Sequence, residues 1–140
     1  MADNKEIVRQ YYDAWATGDP KPLDELLADN YVDHNPMPGI GADKASAGQV
    51  LTTVTGSMTD IDLEIGHIIA EGDFVAAHTR MEWTQNGDFI GMIPADGKHL
   101  SLETHDFYRL DSGKIAEVWH LEDMMSVMGQ LGMLPPPPAS

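Results

Sequence analysis

At 140 residues, the chain is long enough to fold as one domain with a buried core. Its 23 acidic and 8 basic side chains give a formal charge of -15, which argues against nucleic acid or an anionic membrane as a partner, because phosphate binding needs clustered Lys and Arg. There is no cysteine, so disulfides, thiolate chemistry and cysteine-ligated zinc are excluded.

Three helices are predicted in the first part of the chain. Apolar residues at helical spacing predict a helix over residues 5–15, with Asn4 as its cap and Gly18 at its end. A second, short helix follows, and its apolar side is formed by Leu23, Leu26 and Leu27. A third helix is predicted over residues 45–54, with Asp43 as its cap.

The rest of the chain is predicted to be mostly strands. Residues 31–36 form a short strand that runs into a loop. From Asp60 onward the apolar period changes from helical to alternating, which predicts four long antiparallel strands. In the first of them, one face is predicted to carry Ile61, Leu63, Ile65, His67 and Ile69. A turn at residues 111–113 joins the last two strands, and residues 86–97 form a loop.

The order of these elements predicts the fold class. A short Met-rich helix over residues 122–131 closes a single domain of residues 1–134, with Asp123 as its cap, and residues 135–140 form a proline-rich, extended or disordered tail. Helices followed by strands indicate an α+β domain in which a curved antiparallel sheet wraps around the N-terminal helices. Such a sheet encloses a cone-shaped, largely apolar pocket and leaves its outer face free to pack on a second copy.

Strand alternation limits which titratable side chains can face that pocket. Adjacent strand residues point to opposite faces of a sheet, and His120 shares its face with the small residues Ala116 and Val118. On the preceding strand, Asp106 shares its face with Tyr108 and His105 shares the opposite face with Glu103, so alternation alone leaves open which of the two faces the pocket. A carboxylate in an apolar cavity has a raised pKa and can act as an acid or a base. For both side chains, a purely structural hydrogen bond is the alternative interpretation.

Several short motifs carry a resemblance to a known family. They are YYDAW at 11–15, GD at 18–19, YVDHNP at 31–36, GMIPADGK at 91–98, DFYR at 106–109, GKIAEVW at 113–119, LED at 121–123 and QLG at 130–132. In this order they resemble the cystatin-like, nuclear-transport-factor-2-like (NTF2-like) fold. Within that superfamily the chain is similar to the SnoaL-like polyketide cyclases, also called ester cyclases.

The resemblance implies acid–base chemistry on a hydrophobic carbonyl compound, such as a polyketide ester. The characterised cyclases close a ring by an intramolecular aldol reaction without metal or cofactor. A buried aspartate acts as acid and base, and histidine and asparagine assist the enolate. Members commonly have His-Trp-Asp where this chain has Val118-Trp119-His120, so His120 occupies the position of the catalytic aspartate.

The predicted site follows from these matches. Its catalytic residues are His120 and Asp106, and its polar substrate contacts are Asn35 and His34, for which a loop-capping turn is the alternative role. The apolar walls are expected to be formed by Trp15, Tyr12, Met92 and Met125. No metal site is predicted, since no established ligand spacing is present.

Other functions of the same fold stay open at this point. The altered His-Trp-Asp motif favours a noncatalytic small-molecule binding or carrier protein. An epoxide hydrolase would use Arg80 or Arg109 with Asp106, and a ketosteroid isomerase would need an aspartate near Asn35. A homodimer through the outer sheet face is expected. A cytoplasmic location is also expected, because no signal peptide or membrane span is present in the sequence.

Overall fold

The computed structural model describes residues 3–139, and it confirms the predicted α+β class. Four helices and five strands make up this part of the chain. Their bounds, in chain order, are α1 Asn4–Thr17, α2 Leu23–Leu26, β1 Leu27–Asp33, α3 Lys44–Thr55, β2 Met58–Glu71, β3 Phe74–Gln85, β4 His99–Asp111, β5 Lys114–Glu122 and α4 Met124–Gln130.

The five strands form one curved, unclosed sheet in the order β1-β5-β4-β3-β2. The four long strands are antiparallel neighbours joined in sequence, while β1 lies parallel to β5 at one edge. The inner face of the sheet packs against α1, and the outer face carries the exposed side chains. Residues of β1, β4 and β5 can therefore meet on the inner face.

The ends of the helices follow from their capping residues. The carboxylate of Asp3 accepts a hydrogen bond from the Glu6 amide at 2.8 Å, so α1 is capped one residue before the predicted Asn4. The helix ends at Gly18, whose φ of 71° is a left-handed conformation that glycine adopts without steric cost. Asp43 and Asp123 cap α3 and α4, as the sequence predicts.

The first strand begins earlier than predicted. Leu27 was expected to extend the second helix, but it pairs with Ile115 of β5 and starts β1. Helix α2 has only four residues, too few for a stable helix without tertiary contacts. The burial of Leu27 in the core and its pairing with β5 outweigh the helical spacing of the leucines.

A β-bulge changes the predicted face of two residues. Ile65 pairs with Thr79 of β3 and His67 pairs with His78, so Gly66 is an extra residue on β2. One extra residue exchanges the two faces of every later position in the strand. His67 and Ile69 therefore lie on the outer face, contrary to the prediction.

The core consists of two clusters on the inner face of the sheet. The larger one joins α1, α2 and α3 to the sheet and contains Val8, Tyr12, Leu27, Leu51, Val75, Tyr108, Ile115 and Val118, among others. The smaller one contains Met81, Trp83, Ile93, Leu100 and Val127. Residues 135–139 are exposed and belong to no helix or strand. No helix within residues 3–139 is long and apolar enough to cross a bilayer.

Candidate active site

The β4–β5 hairpin brings the two predicted catalytic residues together. Asp106 and His120 are direct partners in the antiparallel register, and such partners project from the same face of a sheet. Asp106 is 6 % exposed, whereas the side chain of His120 is 24 % exposed. The pair therefore joins a buried carboxyl group to an imidazole that solvent can reach.

Only one of the two carboxylate oxygens of Asp106 accepts hydrogen bonds from the described residues. Its Oδ2 accepts hydrogen bonds from the Tyr12 hydroxyl at 2.6 Å and from the Thr104 hydroxyl at 2.9 Å. Its Oδ1 is buried and has no partner among the described residues. Burial raises the pKa of Asp106 to about 6, although the two hydroxyl donors act in the opposite direction. The group is thus ionised at neutral pH and becomes protonated just below it.

His120 is held between two carboxylates. Its Nε2 lies 2.9 and 3.1 Å from the two carboxylate oxygens of Asp33, and its Nδ1 contacts Glu122. Burial lowers the pKa of His120, but the hydrogen bonds and negative charges of Asp33 and Glu122 outweigh burial and raise it to about 10. His120 is therefore an imidazolium at neutral pH, and both ring nitrogens act as donors. In this charged state it cannot accept a proton, as a neutral imidazole base would.

The two polar residues predicted after β1 have different partners. The side-chain oxygen of Asn35 accepts a hydrogen bond from the backbone amide of His120 at 2.9 Å, which ties the loop to the site. The ring of His34 instead stacks on Trp119, with centroids 4.4 Å apart, and bonds to Glu117 at 3.0 Å. These partners belong to the outer face, so the structure does not bring His34 to Asp106.

The four predicted wall residues also divide into two groups. Tyr12 is buried on α1 and contacts Asp106 directly, and Trp15 packs partly buried against the larger core cluster. Met92 is 55 % exposed and Met125 is 64 % exposed. Their neighbours Ile93 and Met124 pack into the smaller core cluster in their place.

Sequence reasoning missed Asp33 and Glu122, the two carboxylates that hold His120. Glu122 shares its strand face with His120 through the two-residue period, so it could have been found from the pattern. Asp33 could not, because its contact depends on β1 pairing in parallel with β5 at the sheet edge. Nothing in the spacing of the residues predicts that pairing.

A small cavity lies behind Asp33, between β1, the loop after it and α3. Its volume is about 10 Å³, roughly the space one water molecule needs. Tyr31, Asp33, Ile40, Ala47 and Val50 are among its lining residues. Within residues 3–139, no three His, Asp or Glu side chains are grouped so that they could hold a metal ion. The larger cone-shaped pocket stays a prediction.

The architecture, a helix-covered inner face of an open five-stranded sheet with titratable groups on it, is the NTF2-like fold. A family model described as SnoaL-like polyketide cyclase matches residues 5–131. The chain therefore belongs to the SnoaL-like polyketide cyclase family. No curated protein matches its sequence.

Solved structures agree with this assignment. TsrD from Streptomyces laurentii has a TM-score of 0.84 at 25 % identity, over 96 % of this chain and 100 % of that one. IdmH from Streptomyces antibioticus, named as a candidate polyketide cyclase, has a TM-score of 0.77 at 25 % identity, over 91 % and 96 %. A SnoaL-like polyketide cyclase from Agrobacterium tumefaciens shares the fold, with a TM-score of 0.77 at 21 % identity over 94 % and 100 %.

Proposed function

We propose that this chain catalyses a cofactor-independent cyclisation or isomerisation of a hydrophobic carbonyl compound, such as a polyketide ester. The observation that carries the proposal is the buried Oδ1 of Asp106, which accepts no hydrogen bond from residues 3–139 and belongs to the residue paired across the strands with the His120 imidazolium. An unsatisfied buried acceptor costs stability unless something else uses it. Accepting a proton from a substrate carbon beside a carbonyl group would use this oxygen.

In the proposed reaction, Asp106 takes this carbon-bound proton through Oδ1 and becomes a carboxylic acid. The electron pair of the broken C–H bond forms an enolate, whose negative oxygen is stabilised by the positive charge of His120. The enolate carbon then forms a bond to a second carbonyl carbon of the same molecule. Asp106 returns its proton to the resulting alkoxide, so atoms and charge balance. In an isomerase, the proton would return to a different carbon.

Asp33, Glu122 and Asn35 have supporting roles in this proposal. Asp33 holds His120 with both oxygens and keeps the imidazole charged. The side chain of Glu122 is 36 % exposed at the end of β5, so it is the partner that a substrate oxygen can replace at Nδ1. Asn35 ties the loop after β1 to the backbone of His120.

A noncatalytic binding protein is the second candidate function. It is favoured by the protein carboxylates that already occupy both ring nitrogens of His120, and by Val118 in place of the histidine common in the family. The epoxide hydrolase alternative is not supported. Arg109 pairs with Glu117 on the outer face and Arg80 lies near Glu82, so neither arginine accompanies Asp106.

Proton exchange separates an enzyme from a binder without knowledge of the true substrate. Polycyclic aromatic methyl esters and steroid-like ketones would be incubated with the protein in heavy water, and deuterium uptake beside the carbonyl measured by mass spectrometry. We expect catalysed uptake whose rate rises with pH through about 6, as Asp106 ionises, and falls above about 10, as His120 loses its proton.

Two variants test the assignment to Asp106. Deuterium exchange by Asp106→Asn should be at least about 100-fold slower than by the wild type, the usual effect of removing a general base. Asp96→Asn, in the exposed loop before β4, is the matched control and should exchange at the wild-type rate. Exchange that survives in Asp106→Asn would contradict the proposed base. Tight binding with no exchange would favour the noncatalytic protein.

A further inference from the structure

The two carboxylate oxygens of Asp106 lie in opposite environments. Oδ2 accepts two hydrogen bonds, from Tyr12 on α1 at 2.6 Å and from Thr104 on β4 at 2.9 Å. Oδ1 is buried and accepts none from the described residues. The protein therefore holds one oxygen with two donors and leaves the other without a hydrogen-bond partner among residues 3–139.

The donor of each hydrogen bond around Oδ2 follows from the protonation of the groups involved. Burial, together with the charge of Asp106, raises the pKa of Tyr12, so its phenol keeps the proton that it donates. Thr104 donates its hydroxyl proton to Asp106, so its oxygen is left to accept from Thr79, 2.6 Å away. Thr79 is buried on β3 opposite Thr104 in the register. A chain of donors from Thr79 through Thr104 thus ends on Oδ2.

Tyr12 is itself held in place. Its ring meets those of Tyr11 and Tyr108 edge-to-face, with centroids 5.9 Å away in both cases. Such contacts fix the orientation of an aromatic ring. The Tyr12 hydroxyl is therefore presented to Asp106 from a rigid helix face, as a preorganised donor would be.

From this geometry we propose that Tyr12 and Thr104 are positioning residues, which bind Oδ2 so that Oδ1 alone exchanges protons with the substrate. The proposal rests on the acid–base function proposed above for Asp106. It adds two residues to that function and assigns the reaction to one oxygen. Hydrogen bonds to the ionised form also favour ionisation, so both donors oppose the effect of burial.

The charged and titratable groups around Asp106 come from three elements. Tyr12 and Tyr11 face it from α1, Tyr108 lies beside it on β4, and His120 and Glu122 face it from β5. The charge of Glu122 raises the pKa of Asp106, and that of His120 lowers it. These two effects are the same in a Tyr12 or Thr104 variant. A change in the titration midpoint of Asp106 therefore reports the loss of the hydrogen bond that the replaced side chain donated.

The test measures the ionisation of Asp106 directly. The full-length protein would be labelled with ¹³C at the aspartate carboxyl carbons, and the Asp106 signal, assigned by its absence in Asp106→Asn, titrated by NMR. We expect a wild-type midpoint of about 6. Tyr12→Phe and Thr104→Val should each raise it by about one pH unit, the effect of one hydrogen bond to a charged group.

The controls separate hydrogen bonding from disturbed packing. Tyr11→Phe removes a hydroxyl one residue away on the same helix and should leave the midpoint unchanged. Thr104→Ser keeps the donor and should retain the wild-type midpoint. Deuterium exchange in Tyr12→Phe should be slower near pH 6 and recover above its raised midpoint, as expected when only the ionised fraction has changed.

The outcomes distinguish this inference from the proposed function. If Tyr12→Phe and Thr104→Val leave the Asp106 midpoint at the wild-type value, the positioning role is wrong whatever the exchange assay shows. If the midpoints shift but Asp106→Asn exchanges normally, the hydrogen bonds are as described and the catalytic role of Asp106 is wrong.

Discussion

Asp106 and His120 are neighbours across two strands, yet their pKa values shift for opposite reasons. Asp106 has no cation in hydrogen-bond contact among residues 3–139, so burial dominates and raises its pKa to about 6. His120 has two carboxylates in contact, and they overcome burial and raise its pKa to about 10. Between about pH 6 and 10 the site therefore combines a carboxylate with an imidazolium. This is the pairing that removal of a proton and stabilisation of an enolate require.

The raised pKa of Asp106 predicts how its replacement changes stability with pH. The folded pKa of about 6 lies above the ordinary aspartate value of 3.8, so the folded state binds more protons and the wild type loses stability as pH rises between these values. Asp106→Asn does not titrate. Its free energy of unfolding, relative to wild type, should increase by about 2 kcal/mol between about pH 4.5 and 7.5. Urea denaturation across this range measures the difference.

Asp43→Asn is the control variant, for which we expect the opposite change of stability with pH. Hydrogen bonds from Ser46 lower the pKa of Asp43, which caps α3. Its stabilising effect is present above the unfolded pKa and is lost as pH falls. The Asp43 variant should therefore lose stability, relative to wild type, as pH rises through the acid range up to about 4, and the difference should stay constant above it. A constant difference between Asp106→Asn and wild type would show that Asp106 has an ordinary pKa in the folded protein.

The family resemblance, more than strand alternation, singled out Asp106 and His120 as site residues. The structure makes them direct partners across β4 and β5, although the register of these strands shifts between Arg109 and Leu110. His34 was misplaced because the chain turns at the end of β1, and stacking on Trp119 carries its ring to the outer face. Asp33 was missed because it depends on pairing between distant segments.

At the scale of elements, replacing each of two glycines by alanine should change the free energy of unfolding in opposite directions. Gly48 lies inside α3, and an added Cβ would meet its nearest atom, Pro20 Cβ, at 3.8 Å, an ordinary contact. Gly48→Ala should raise the free energy of unfolding by about 0.5–1 kcal/mol, the difference in helix propensity. Thermal or urea denaturation at neutral pH provides the measurement.

Gly18 is the matched position at a helix end. Its φ is +71°, and an added Cβ would lie 3.2 Å from the Thr55 hydroxyl. Gly18→Ala should lower the free energy of unfolding by about 1–2 kcal/mol, the cost of left-handed backbone for alanine. Stabilisation by this change, or destabilisation by Gly48→Ala, would contradict the helix boundaries of the structure.

The elements were predicted well from periodicity, and the errors have identifiable causes. Most helices and strands begin and end within a few residues of the predicted positions. The bulge at Gly66 was missed because alternation across it looks uninterrupted in sequence. The start of β1 at Leu27 was missed because the preceding leucines fit a helix equally well. Both errors arise from pairing with other strands.

At the scale of the whole molecule, the outer sheet face carries a row of apolar side chains across neighbouring strands. Ile69, Ala76, Phe107 and Trp119 follow one another in the strand register. Ile69 is 69 % exposed and Phe107 is 56 % exposed. Contiguous exposed apolar surface is a common mark of an interaction site. A homodimer through this face, expected from the sequence, is therefore the proposed assembly.

Phe107 lies in the middle of this row and tests the proposed dimer. The wild type should sediment as a dimer at micromolar concentration, and Phe107→Asp should sediment as a monomer, because a carboxylate buried at the interface without a partner costs several kcal/mol. Ile90→Asp places the same charge on a comparably exposed residue, 53 % exposed, in the loop before β4, and should stay dimeric. A monomeric wild type, or a dimeric Phe107→Asp, would show that copies do not associate through this face.

Since Phe107 projects away from Asp106, the monomeric variant should retain the inner-face hydrogen bonds, and the titration midpoint of Asp106 should stay at about 6.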